Sequence, residues 1–88
     1  MDSFEIVFQS SVHKDLRRLS KTAVARVMAR IEDLAADPLP PRVVKLSEAE
    51  RLYRIRVGAY RVVYEVDPEA RQVTIHYVRH RRYVYRAI

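Results

Sequence analysis

Arg54, Arg56 and Arg61 flank Gly58-Ala59 in the stretch LYRIRVGAYRVVYEV, residues 52–66, and the chain closes on a second basic group. In that tail Arg79, His80, Arg81, Arg82 and Arg86 stand beside Tyr83 and Tyr85. A guanidinium is planar, permanently charged and able to grip a phosphate through two hydrogen bonds, so the chemistry these residues suit is anion recognition. Histidine titrates near neutrality, which makes His80, directly before Arg81, a candidate for moving a proton. The residues of the stretch alternate apolar and polar, the pattern of two half-buried strands joined by a tight turn. Gly58 at the first position of a two-residue loop suits a type II′ turn. Val57 then faces Tyr60, Arg56 faces Arg61, Ile55 faces Val62 and Tyr53 faces Tyr64. Tyr53, Ile55, Val57, Tyr60, Val62, Tyr64 and Val66 share one face; Arg54, Arg56 and Arg61 occupy the other. Like charges placed opposite one another cost stability, which points to an anion site. The alternative reading is a solvated outer face whose arginine stems cover the sheet.

Composition narrows the chemistry further. Seventeen Lys and Arg, most of them Arg, against eleven Asp and Glu give a net charge of +6 and a pI near 10.1, which favours polyanionic partners. The absence of Cys removes disulfides, thiolate nucleophiles and Cys-based metal sites, and the cytoplasm is the natural compartment. No secretory leader and no membrane-length apolar run is apparent, so the expectation is a soluble protein without a membrane partner. With a single Gly there is no glycine-rich phosphate loop. His13, His76 and His80 lack the HExxH pattern, and although His76 and His80 would share a face of an extended strand, two ligands do not make a metal site. Neither metal nor cofactor is expected.

The elements that must position these groups follow in order. Phe4, Ile6 and Phe8 alternate with Glu5, Val7 and Gln9, predicting a strand over residues 3–9 with its aromatics inward. Ser10 or Ser11 can cap a short helix carrying Val12, Leu16 and Leu19 on one side. Ser20 can cap a second, Thr22 to Ala36, with Val24, Val27, Met28, Ile31, Leu34 and Ala35 in one stripe, ended by Asp37-Pro38. DPLPPR is a stiff crossover, Val43 to Leu46 a short extended stretch, and SEAER a polar turn into the hairpin. Asp67-Pro68-Glu69-Ala70 is a further turn, followed by a strand in which Val73, Ile75 and Tyr77 alternate with Thr74, His76 and Val78. If Val66 faces Val73, then Val63 faces His76 and Arg61 faces Val78, so the arginine face continues onto His76 and reaches His80. The expected fold is α+β: two N-terminal helices packed on one face of a mainly antiparallel sheet, β-α-α-β-β-β, as one domain over residues 1–88, with the other face open and basic.

Lys45-Leu46, Tyr53-Arg54-Ile55-Arg56-Val57-Gly58, Tyr60-Arg61-Val62-Val63-Tyr64 and Val78-Arg79-His80-Arg81-Arg82-Tyr83-Val84-Tyr85 resemble, in order and spacing, the RelE branch of the RelE/ParE toxin superfamily. The resemblance implies the toxin of a type II toxin–antitoxin system. Such a toxin is a metal-independent endoribonuclease, or mRNA interferase, that inhibits translation by cutting messenger RNA in the ribosomal A site until an antitoxin silences it. The family's two basic positions on the first hairpin strand fall on Arg54 and Arg56, its arginine after the turn on Arg61, the one after the last strand on Arg81, and its C-terminal tyrosine on Tyr85. Lys45 and Arg82 join Arg54 and Arg56 as expected RNA- or phosphate-binding residues. The sequence departs from the family at the turn, Gly58-Ala59-Tyr60 for Gly-Asp-Tyr, and at Val78-Arg79-His80-Arg81 for Val-Gly-His-Arg. Arg54 and Arg56 also stand where some active members carry Lys.

In the chemistry so implied, the substrate's 2′-hydroxyl attacks the adjacent phosphate, leaving a cyclic phosphate and a 5′-hydroxyl. Arg61 and Arg81 are the first choice for stabilising charge on the phosphate. Arginine is a poor general base, so proton transfer is expected from His80, His76, Tyr85, Glu48 or Glu50. Two other readings stay open: the ParE branch of the same fold, which inhibits DNA gyrase, and a catalytically inactive RNA-binding relative.

Overall fold

The computed structural model describes residues 3–82. Its elements run β1 (Glu5–Phe8), α1 (Ser11–Arg17), α2 (Lys21–Asp33), β2 (Val44–Ser47), β3 (Leu52–Val57), β4 (Tyr60–Asp67) and β5 (Gln72–His80). The five strands form one sheet in the order β1-β5-β4-β3-β2. β2 to β5 make an antiparallel meander, and β1 lies parallel to β5 with Glu5 opposite Gln72 and Phe8 opposite Ile75. The helices cover one face, as the alternation requires. Val12 of α1 and Val27, Ile31 and Leu34 of the second helical segment meet Ile55, Val62, Tyr64, Val73, Ile75 and Val78 in a single core. Phe4, Ile6 and Phe8 pack against its margin. Among the described residues no helix is long and apolar enough to cross a membrane.

The local signals act as their chemistry dictates, with two adjustments. Ser20 Oγ accepts the Ala23 amide at 3.1 Å and starts α2. Asp37-Pro38 does not end that helix; it stops at Asp33, where Leu34 and Ala35 donate to the carbonyls of Ile31 and Glu32, three residues back. Such i→i−3 bonds tighten and exhaust the last turn before proline can act. The extended stretch before SEAER becomes a full strand, β2, paired with β3 around an irregularity at Leu46. Gly58 alone of the two hairpin-loop residues has a positive φ, +59°, consistent with the type II′ turn.

Where β1 ends, α1 takes over the edge of β5. Gln9 donates to the Ile75 carbonyl, Ser11 Oγ donates to the His76 carbonyl at 3.4 Å, and the buried Asp15 accepts the Val78 amide on Oδ2 at 3.0 Å. Residues one helical turn apart are spaced by about 6 Å, close to the rise of two strand residues, about 6.7 Å. Ser11 and Asp15 therefore stand in for the missing neighbour strand. Ser10 holds the N-cap position of α1 without a side-chain cap bond.

Two outcomes test this scaffold. Asp15→Ala leaves the Val78 amide unsatisfied in a buried seam and lowers stability by about 1.5–3 kcal/mol in denaturant unfolding, whereas Asp15→Asn, which keeps an acceptor, costs less. Tyr64, which donates to the Pro38 carbonyl at 2.7 Å, has its phenol pushed up, first by burial and then by the charges of Asp37 and Tyr53. Below pH about 10 the folded and unfolded chains both hold that proton; above it the unfolded chain loses it first, so stability falls as pH rises. Tyr64→Phe removes that part of the alkaline loss and costs about 0.5–1.5 kcal/mol at neutral pH.

Candidate phosphate-binding face

The hairpin register places Arg56 opposite Arg61 and Arg54 opposite Val63. The next strand departs from simple alternation. Val66 faces Val73 and Tyr64 faces Ile75, but a bulge at His76 inserts one residue, after which Val63 faces Tyr77, Val62 faces Val78, Arg61 faces Arg79 and Tyr60 faces His80. A one-residue offset moves every later side chain to the opposite face. The expected pairings of Val63 with His76 and Arg61 with Val78 are thereby corrected. Arg79 takes the place on the outer face that the unbroken alternation gives to Val78 and His80. The result is a row of three arginines, Arg56, Arg61 and Arg79, across three strands.

Arg61 is the fixed member of this row. It is 5% exposed, and its Nη1 donates to the carbonyls of Gly58 at 3.2 Å and Tyr60 at 3.0 Å. Its buried Nε has no hydrogen-bond partner among the described residues. The Arg81 amide donates to the carbonyl between them, that of Ala59, at 2.8 Å. One turn thus holds the guanidinium of Arg61 and the backbone of Arg81. From the helix side the Arg26 guanidinium lies 3.6 Å from the position a Gly58 side chain would take, and Arg30 donates to the Arg56 carbonyl at 3.4 Å. Arg79 stacks 4.3 Å over the ring of Tyr77, whose phenol is pushed up by burial and partly lowered again by that charge. The face is less open than its pattern predicts, since Val63, on the same side, is 1% exposed.

The other expected site residues divide. Arg54 lies on the outer face one row from Arg61, and His76 is bound there to Glu65 at 3.2 Å. His80 does not continue the arginine face: it lies on the helix side, edge-on to Tyr60 with ring centroids 5.7 Å apart, its Nδ1 accepting the Arg82 amide at 3.2 Å. His76 and His80 therefore do not share a face. Lys45 pairs with Tyr53, which puts it on the helix side too, and its ammonium is held by Glu48 at 3.1 Å, a contact that raises its pKa. Glu48 and Glu50 occupy the turn at the far end of β3, six strand residues or about 20 Å from Gly58. Tyr85 lies outside the described residues, as do Tyr83 and Arg86. Arg82 joins Asp15, Arg18, Leu19, Tyr60 and His80 around a helix-side cleft of about 440 Å³. Sequence reasoning missed Arg79 as a member of the row and Arg26 behind the turn. Only the bulge reveals the first, and the second needed the docking of α2.

Arg56 and Arg61, placed opposite one another without an intervening carboxylate in the row, repel. Arg56→Thr, which suits an outer strand position, should raise stability by a few tenths of a kcal/mol in dilute buffer. That gain should shrink in 0.5 M salt, about 4 Å in screening length, as thermal unfolding at two ionic strengths would report.

Known proteins share this fold. Residues 6–85 match the family model described as the ParE toxin of the type II toxin–antitoxin system parDE. The RelE1 toxin candidate of Methanocaldococcus jannaschii is 28% identical over 86 residues, covering 94% of this chain and 96% of its own length. Among solved structures, the archaeal RelE–RelB complex of Pyrococcus horikoshii matches with a TM-score of 0.81 at 28% identity, over 90% of this chain and 96% of the other. The RelBE2 toxin–antitoxin complex of Mycobacterium tuberculosis matches with a TM-score of 0.78 at 29% identity, over 89% and 98%. With a family model spanning nearly the whole chain and RelE relatives aligned over nine-tenths or more of both chains, the protein belongs to the ParE toxin family of type II toxin–antitoxin systems, within the RelE/ParE superfamily.

Proposed function

We propose that this toxin is a ribosome-dependent mRNA endonuclease that cuts in the A site by attack of a 2′-hydroxyl on the adjacent phosphate. The observation that carries this reading is the locked Arg61 guanidinium, centred in a row of arginines and fastened to the same turn as Arg81. A phosphate that gains charge as the 2′-oxygen bonds to phosphorus needs donors already in place, because reorienting them during reaction costs part of the stabilisation. Arg61 and Arg81 clamp the phosphate; Arg54, Arg56 and Arg79 neutralise the flanking backbone. The 2′-oxygen gives up its proton, the phosphorus–O5′ bond breaks, and O5′ takes a proton, leaving a 2′,3′-cyclic phosphate and a 5′-hydroxyl. With His80 on the helix side, His76 engaged by Glu65 and Glu48 and Glu50 at the far end of β3, proton transfer falls to Tyr85, by its match to the family's C-terminal tyrosine. The chemistry calls on neither a nucleophilic side chain nor a metal.

The relatives of P. horikoshii and M. tuberculosis were solved as toxin–antitoxin complexes, which supports a cognate antitoxin as this chain's partner. Ribosome and messenger RNA are the targets, placing the work in the cytoplasm. A second reading has its own support: the matching family model is that of ParE, the branch directed at DNA gyrase. Mapping RNA ends in a reconstituted translation reaction separates the two. The expected result is cleavage within A-site codons leaving 5′-hydroxyl ends, reduced about 10²–10³-fold in Arg81→Ala and in Arg61→Lys, by analogy with loss of one oxyanion donor. Intact RNA together with inhibition of gyrase supercoiling would install the ParE reading instead.

A further inference from the structure

The cleft on the helix side is unused by this mechanism, and its lining has a chemistry of its own. Arg18, at the end of α1, and Arg82, just past β5, stand at a cleft of about 440 Å³ with Tyr60, His80 and Leu19 around them and the buried Asp15 within. Ligand sites commonly span about 300–1,000 Å³, so the space suits one small ligand or one splayed nucleotide. Asp15, whose Oδ2 accepts the Val78 amide, is the single carboxylate of this lining among the described residues and stands against Arg18, Arg79 and Arg82, so the cationic lining dominates. Tyr60 and His80 meet edge to face, an interplanar angle of 85°, which gives the cleft aromatic walls. With Nδ1 accepting the Arg82 amide, a neutral His80 carries its proton on Nε2, as a donor.

We propose that this cleft is a nucleotide-binding site: the base packs against the Tyr60–His80 pair and the phosphate is held by Arg18 and Arg82. Aromatic rings beside guanidinium groups form the usual platform for single-stranded nucleotides, one part stacking and the other neutralising. An acidic peptide is the competing occupant, and the strand edge argues against it. A peptide adding to a sheet needs unpaired backbone groups, whereas along this part of β5 Ser11 and Asp15 already engage the His76 carbonyl and the Val78 amide. The site lies on the opposite side of the sheet from Arg56 and Arg61. It does not rest on the ribosome-directed reading, and its ligand is either a free nucleoside monophosphate or one unit of an RNA chain.

The test is a titration of the full-length protein followed by amide chemical shifts. The probes are the four nucleoside 5′-monophosphates, inorganic phosphate, a 2′-O-methyl trinucleotide that cannot be cleaved, and an acidic hexapeptide. The expected result is saturable shifts of Leu19, Tyr60, His80 and Arg82, with nucleotides binding at least tenfold more tightly than phosphate. Arg18→Ala, at an exposed position, weakens binding about tenfold with the spectrum otherwise native, and Tyr60→Leu abolishes the preference for nucleotide over phosphate. Arg56→Ala changes cleft affinity less than twofold. Binding of monophosphates at least as tight as that of the trinucleotide identifies a free nucleotide as the ligand; tighter binding of the trinucleotide identifies RNA. Shifts confined to Arg54, Arg56 and Arg61, equal affinity for phosphate and nucleotide, or tighter binding of the peptide would each overturn the proposal.

Discussion

One extra residue in β5 decides what each face of this sheet can do. Without the bulge at His76, the alternation set by Val73 and Ile75 would carry Tyr77 toward the helices and His76, Val78 and His80 outward. With it, Tyr77 and Arg79 face outward and Val78 enters the core. The bulge therefore serves packing and charge at once. It supplies the core with Val78, 1% exposed, and completes the arginine row with a third guanidinium. Its position next to the point where β1 gives way to α1 has a structural reason. The edge of β5 changes there from strand pairing to side-chain capping, so the ladder can absorb an irregularity without leaving backbone groups unpaired.

The Gly58-Ala59 turn is the second organising point. Its three consecutive carbonyls from Gly58 to Tyr60 serve Arg61, Arg81 and Arg61 again, so the geometry of the loop is transmitted directly to the cations above it. Partial negative charge on those carbonyls also offsets the mutual repulsion of the row, which is how a buried guanidinium persists beside two others. A flexible side chain in the same place would have to be ordered by the substrate; here the fold has already ordered it.

Much of this was legible in the residues. The hairpin register was read correctly from alternation and one glycine, because a two-residue loop leaves little freedom, and the helix stripe and the Ser20 cap follow from spacing and a hydroxyl. Past Val66 the same rule failed. A bulge adds a residue without a glycine or proline to mark it, so the alternation of Val73, Ile75 and Tyr77 looks unbroken in sequence while the backbone is not. The fate of His80 and the helix-side position of Lys45 both follow from facing relations that depend on register. The position of β1 beside β5 was equally unreadable, since a parallel pairing between the two ends of a chain has no local signature.

That last pairing has a consequence for how the molecule comes into being. Glu5 and Gln72 are 67 residues apart in sequence and hydrogen-bonded in space, so the core closes around contacts of very high sequence separation. Folds dominated by such contacts form slowly, because loop-closure entropy is lost before the pairing compensates for it. β5 touches β1, β4 and α1 and carries Arg79, with Arg81 just beyond it. A chain still emerging from the ribosome therefore lacks both an interior strand of its sheet and part of its arginine row until β5 has been made. Synthesis itself delays the assembly of this surface, and a product truncated before β5 carries neither the complete sheet nor the complete row.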